Sequence, residues 1–337
     1  MTLERSMSVA ADVAHAAAPT PGRARRAASG ALRRALALIV AALLSGCGSL
    51  HHYAVNRLGD SLAKSGTTFA GDDDPELIRA AAPFSLKLME SLLQDAPQHV
   101  GLLTATAAGF TEYSYAFVEE DADELEAHDL EGSLALHARA RSMYVRARDY
   151  GMRALEARHR GFAARLRETH GAAAAELDAT DVPAIYWTAA AWAASISLDK
   201  DSPDSIAELP LVDALLRRLE TLDADYDHGA LDSVLMSWEA ARPGRAYAEK
   251  EVRRHFDRAL QLSGGEKAGP YVTFAETHCV RLQDRKEFEA NLQQALAIDP
   301  ARYPHSQLEN RIVQRRARWL LTQTDQLFLE PAPGATQ

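Results

Sequence analysis

The chain is poor in the features that announce most functions. It holds two cysteines in 337 residues, Cys47 and Cys279, so a framework of several disulfides is excluded and a packed apolar core must hold the fold. Strand signals are nearly missing: there are no alternating Val/Ile/Thr runs and no Asn-Gly or Asp-Gly hairpin, which leaves helix as the element to expect. The apolar run Ala35 to Leu44 stops well short of the ~20 residues a membrane-spanning helix needs. No Gly-rich phosphate loop precedes a helix, since Gly264-Gly265 stands where it would close one. No His-Glu-x-x-His occurs. The adjacent pair His51-His52 falls in a polar segment, and His278 beside Cys279 lacks partners at ligand spacing. No metal site and no cofactor is expected, and no catalytic residue stands out. A Ser-His-Asp set converges only in the fold, so the sequence leaves a hydrolase open.

What is present begins with a leader. Arg23, Arg25, Arg26, Arg33 and Arg34 precede the apolar run, and small residues close it, the three-part layout of a secretory signal. Leu44-Ser45-Gly46-Cys47 resembles the lipobox of bacterial lipoproteins, in which a cysteine thiol is acylated and the leader is cut away before it. The expectation is therefore a signal peptide over 1–46, started from Met1 or Met7, and a lipidated tether over 47–75 anchored through Cys47. Each buried acyl methylene contributes ~0.8 kcal/mol, so two or three chains hold the protein at a membrane. Gly48 stands where, by the same resemblance, an aspartate would retain a lipoprotein at the inner membrane, which favours an outer-membrane address facing the periplasm.

Charge narrows the partners. The whole chain carries −10, and its leader holds six arginines against Glu4 and Asp12, leaving −14 for Cys47 to Gln337. An acidic surface of that size disfavours nucleic acid and anionic headgroups. With Cys47 acylated, Cys279 in the amphipathic "FAETHCVRL" reads as a buried small hydrophobe. The acidic run 119–131, "EEDADELEAHDLE", lacks the spaced ligands and central glycine of a calcium loop and reads as a solvated loop.

From residue 76 to 330 almost every segment has helical spacing. "PELIRAAAPFSLKLMESLLQDAP" stops at Asp95-Ala96-Pro97, and Phe110, Tyr113 and Phe117 fall on one face of the next helix. A third helix is expected near 132 to 167, a fourth in "VPAIYWTAAAWAASISL", and a disordered tail over 331–337. The stretches "RALEAR" (153–158), "RRLETLD" (217–223), "RALQLSG" (258–264) and "QALAIDP" (294–300) echo one another. Leu222, Leu262 and Ile298 set a period of about 36–40 residues, which in an all-α chain suggests stacked helix pairs, a degenerate tetratricopeptide-like solenoid. An ordinary helical bundle with chance echoes is the alternative. Tyr113, Tyr115 and Phe117, with Tyr186, Trp187 and Trp192, exceed what Ala-rich helices need for packing. They either fill gaps or line a pocket for a small, partly apolar ligand or partner.

The ordered stretches "GFTEYSYAF" (109–117), "YVRARDYGMRAL" (144–155), "IYWTAAAWAASISLDKDSP" (185–203), "HFDRALQLSGG" (255–265), "RLQDRKEFEANLQQALAIDP" (281–300) and "NRIVQRRARWLL" (310–321) resemble the T-component lipoproteins of TRAP (tripartite ATP-independent periplasmic) transporters. The likeness covers roughly residues 45 to 330. It departs at Pro243-Gly244-Arg245, where the family pattern suggests a second glycine. The resemblance implies a helical, tetratricopeptide-like periplasmic lipoprotein that associates with the solute-binding protein (P-component). The missing motifs point away from an enzyme, and the sequence leaves a homo-oligomer open. An envelope assembly factor or an uncharacterised hydrolase is the alternative.

Overall fold

The computed structural model describes residues 69–241 and 246–329, with Arg57, Gly59 and Ser61 ahead of them. Expectations placed on the leader and Cys47, on His51 and His52, on Pro243-Gly244-Arg245 and on the tail 331–337 lie outside the described residues. Among the described residues all regular structure is helical, and no helix is long and apolar enough to cross a membrane.

Local chemistry sets the helix ends. Asp74 accepts from the backbone N–H groups of Glu76 and Leu77, and Pro75 fits the first helical position, so α1 runs Pro75–Asp95. His99 caps α2 (Val100–Ser114), which passes into a π-helical segment, Tyr115–Glu119, and then α3 (Glu120–Glu126). The acidic run is thus mostly helix, not the solvated loop expected, and its first two carboxylates turn inward. Asp129 caps α4 (Leu130–Arg158). The helix expected to reach 167 stops at Arg158 because Gly161 adopts φ +78° and the Glu156 carboxylate accepts from the Gly161 and Ala163 N–H groups. A new helix, α5 (Phe162–Glu168), starts there.

The chain continues through α6 (Val182–Ser197), α7 (Pro203–Ala207), α8 (Leu209–Leu222) and α9 (Tyr226–Ala241). Then follow α10 (Glu249–Leu262), α11 (Gly269–Phe274), a second π segment (Ala275–Cys279) and α12 (Val280–Leu282). The last elements are α13 (Arg285–Ala297), α14 (Gln307–Thr322) and α15 (Thr324–Leu327). The four echoing stretches fall at the ends of α4, α8, α10 and α13. Gly264 and Gly265 close α10 with φ +60° and +76°.

Helices pack chiefly on their chain neighbours: α2 on α4, α4 on α6, α6 on α8, α9 on α10, α11 on α13, and α13 on α14. Small residues bring them close. A Cβ on Gly151 would lie 2.2 Å from Thr188 Oγ1, so α4 and α6 meet at glycine. One core gathers around Leu102, Phe162, Ile185, Trp192 and Leu215, and a second around Phe256, Phe274, Phe288 and Ala317. Cys279 belongs to the second, and burial pushes its thiol up to about 12. A small third cluster joins Ile78, Ala116 and Phe117 to Ile312, so α14 returns to the start of the chain.

Candidate functional site

The return of α14 is built from arginine. Arg315 donates 2.8 Å to Glu120 Oε2 and 2.6 Å to the Ala116 carbonyl. That carbonyl lies in the first π segment, where the widened turn redirects backbone groups that an α-helix would bond internally. Arg316 lies 2.7 Å from both Asp123 and Glu276. Burial works against its charge, but Glu276, Tyr115 and Asp123 outweigh that and raise its pKa. An open cleft of about 280 Å³ marks the outer side of this seam, lined by Pro75, Glu76, Arg311, Arg315 and Arg318 among others.

Inside the seam, carboxylates outnumber cations. Glu119 accepts from the Tyr144 hydroxyl, and burial nevertheless holds its carboxyl up at about 7. Glu120 is 1% exposed, and burial raises it to about 7 against the opposing pull of Arg315. Tyr115 is 41% exposed, yet desolvation pushes its phenol well above the ordinary value. Glu112, one turn earlier on α2, is exposed in the same way, and burial followed by Glu309 and Asp227 lifts it to about 7. Glu112, Tyr115 and Glu119 thus all sit on the α2–π–α3 rod.

A second charged group joins α9 to α14. Lys267 Nζ sits 3.6 Å from Asp227 and 3.5 Å from Glu309, and bridges α9 to α14. Burial alone would lower the Lys267 pKa, but the two carboxylates raise it overall. Asp227 and His228 adopt φ 45° and 54° ahead of Gly229 at 93°, a left-handed run that kinks the start of α9. Such strain in non-glycine residues concentrates at functional sites. The Tyr186 and Tyr226 rings meet at 4.8 Å, with Trp187 edge-on to Tyr186 at 4.9 Å. Burial, then Asp227, lifts both phenols.

The aromatic residues singled out in the sequence separate in the fold. Tyr186 and Trp187 are half-buried, and Tyr113 is half-buried against Phe117 at 5.4 Å. Phe117 is buried under the Arg79 guanidinium, 4.9 Å from its ring centre. Trp192 has no exposed surface. Its indole donates 2.7 Å to Glu208, and Arg148 covers its ring at 5.4 Å, so it offers nothing for a ligand to touch. His278 is buried between the Tyr247 hydroxyl and Arg253 and stacks on Phe274 at 4.4 Å. Among the described residues no group of three His, Cys, Asp or Glu is arranged to hold a metal ion.

Sequence reasoning passed over Glu112, Tyr226, Lys267, Glu276, Glu309, Arg315 and Arg316. One signal was available: Arg311, Arg315, Arg316 and Arg318 crowd a single helix in an otherwise acidic chain, and buried arginine calls for buried carboxylate. The two π segments had no comparable sign.

Residues 71–328 match the family described as TAtT, TRAP transporter T-component. A relative named "Uncharacterized protein" from Treponema pallidum (strain Nichols) is 29% identical over 274 residues, covering 78% of this chain and 83% of that one. The match spans nearly all of the described helices, and the chain belongs to the TRAP transporter T-component family.

Proposed function

We propose that, as a T-component of a TRAP transporter, this protein is a lipid-anchored helical scaffold facing the periplasm. There it docks the solute-binding protein and assists uptake of a small, partly apolar ligand. Family membership over residues 71–328 carries this reading. Helices that pack on their chain neighbours support a tetratricopeptide-like stacking of pairs, in which each unit buries its face on the next. Half-buried Tyr186 and Trp187, packed edge-on, support a ligand role, since aromatic side chains suit small, partly apolar molecules. Cys47 and the basic, apolar leader before it support the anchor.

The test is an affinity pull-down of the tagged protein from its own envelope, with mass spectrometry of the eluate. A TRAP-type solute-binding protein enriched over an unrelated lipoprotein control is the expected outcome. An eluate of general envelope proteins alone overturns the docking role and moves an envelope assembly factor ahead of it.

A further inference from the structure

Helix α4 carries its arginines in two sets. Arg141, Arg148 and Arg158 are matched to carboxylates: Asp199, then Asp149 with Glu208, then the buried Asp181. Arg139, Arg146 and Arg153 follow one another at seven-residue steps. A helix drifts by only ~20° over such a step, so these three share one face along about 21 Å of the axis. All three are exposed, as are Ser142 and Asp149 between them.

This row is short of carboxylate. Arg139 makes no hydrogen bond or ion pair among the described residues, and Arg153 donates to the Pro97 carbonyl at 3.3 Å. Arg146 reaches Glu90, which also serves Lys87 at 2.6 Å and the Tyr150 hydroxyl at 2.8 Å. Asp149, the acidic residue on the face, is held by Arg148 at 2.9 Å. Four cations are thus set against one carboxylate, in a chain that carries −14 outside its leader.

The guanidinium groups are also held in place. Arg146 lies 4.9 Å from the centre of the Phe110 ring and Arg153 lies 5.1 Å from that of Tyr150, and the two rings stack at 6.1 Å. Stacking restrains an arginine and reduces the entropy lost when it pairs, while its N–H edge stays open to water. An open cleft of about 300 Å³ lies along the face, lined by Ser142, Val145, Arg146, Asp149, Tyr150 and Arg153. Seven residues set Arg146 and Arg153 about 10 Å apart along the axis, a spacing that suits successive carboxylates of a macromolecule better than one small anion.

We propose that this face of α4 is where the solute-binding protein docks, and that it receives an acidic ridge of that partner whose carboxylates meet Arg139, Arg146 and Arg153 in turn. This rests on the reading that such a protein docks here, and it adds the face and the charge of the counterpart. Elsewhere the acidic chain repels an acidic partner, so the row also sets the orientation of approach. A row one residue wide within an acidic surface meets a ridge more readily than the plane of an anionic membrane.

Surface plasmon resonance between the purified full chain and the solute-binding protein recovered by the pull-down tests it. Arg139→Glu combined with Arg153→Glu should raise Kd at least about tenfold, chiefly through slower association, and leave the thermal midpoint unchanged. Arg139→Gln with Arg153→Gln, which removes charge without reversing it, should give an intermediate loss. Lys250→Glu with Lys286→Glu makes the same change of net charge at exposed positions of α10 and α13 and should leave binding near wild type. Wild-type binding should weaken between about 0.05 and about 0.5 M salt, and the α4 variant should lose most of that dependence. Wild-type affinity in the α4 variants, or an equal loss in the control pair, overturns this face while the docking role stands. Sedimentation with phosphatidylglycerol vesicles that requires Arg139 and Arg153, beside unchanged binding of the protein, assigns the row to a membrane instead. Recovery of no solute-binding protein removes the docking role and this proposal together.

Discussion

Stability is expected to fall as pH rises from about 6.5 to about 8, because buried carboxyls must ionise over that range. Burial holds Glu119 and Glu120 at about 7, against an ordinary 4.5. Between those values the folded state keeps protons that the unfolded chain has released. Their contribution is therefore present at the lower pH and is lost as pH climbs through the folded value. At about pH 7 each group is half protonated when folded, so the pair gives a slope of about 1.4 kcal/mol per pH unit. Glu112 acts in the same direction, but water reaches it and it adds little that solvent does not screen. His278 opposes the trend below its ordinary 6.5, because burial and then Arg253 hold it neutral when folded. Carboxylates with lowered values, such as Glu90 and Asp199, titrate below their ordinary 4.5 and 3.8 and leave the window untouched. Urea unfolding followed by far-ultraviolet circular dichroism at steps across the window measures the slope. Glu120→Gln keeps an acceptor for Arg315 while removing one titrating group, and should halve it. A level or rising curve, or a wild-type slope in the Gln variant, refutes the reasoning.

Trp192→Ala should cost about 3–5 kcal/mol in equilibrium unfolding, as removal of a fully enclosed indole leaves a cavity and strands Glu208. Thermal and urea midpoints close to wild type would show that the ring is not core. Gly229→Ala should destabilise by about 1–3 kcal/mol, because φ is +93° and a Cβ would stand 3.0 Å from the Ala259 backbone. The same unfolding assay reads it, and an unchanged midpoint would mean that α9 and α10 can separate freely. Cys47→Ala should move the protein from the membrane fraction to the soluble periplasm. Retention on membranes at precursor size contradicts the lipid anchor.

Much of the fold could be read in advance because its signals are local. The stop at Asp95-Ala96-Pro97, the Gly264-Gly265 closure and the four helix-ending echoes each depend on a few adjacent residues. Burial of Cys279 followed from its amphipathic setting. The family likeness, spread over six stretches, agrees with the match to residues 71–328. What escaped depends on distant partners. Glu119 and Glu120 head an acidic run that looks solvated until Tyr144 and Arg315 are seen against them. The break at His159 hides in Glu156, whose carboxylate caps a helix that begins beyond a glycine. Spacing put Tyr113, Phe117, Tyr186, Trp187 and Trp192 in one class, yet period alone could not say that Trp192 faces Glu208 in the core while Tyr186 stays half-buried against Tyr226. A π segment also shifts every later side chain around its helix, which no count at i+3 and i+4 anticipates.

The arginine seam has a consequence in time. Glu120 and Arg315 are 195 residues apart in the chain, whereas most helix pairs here join neighbours that can fold as they appear. At a synthesis rate of about 5–20 residues per second, Glu120 waits about 10–40 s for its partner to be made. During that interval the early helices leave uncovered an edge that is part charged, at Glu120, and part apolar, at Ile78 and Phe117. Helix α14 then acts as a latch, and a chain cut short before Gln307 would keep its α14-facing edge open however well its earlier helices had folded.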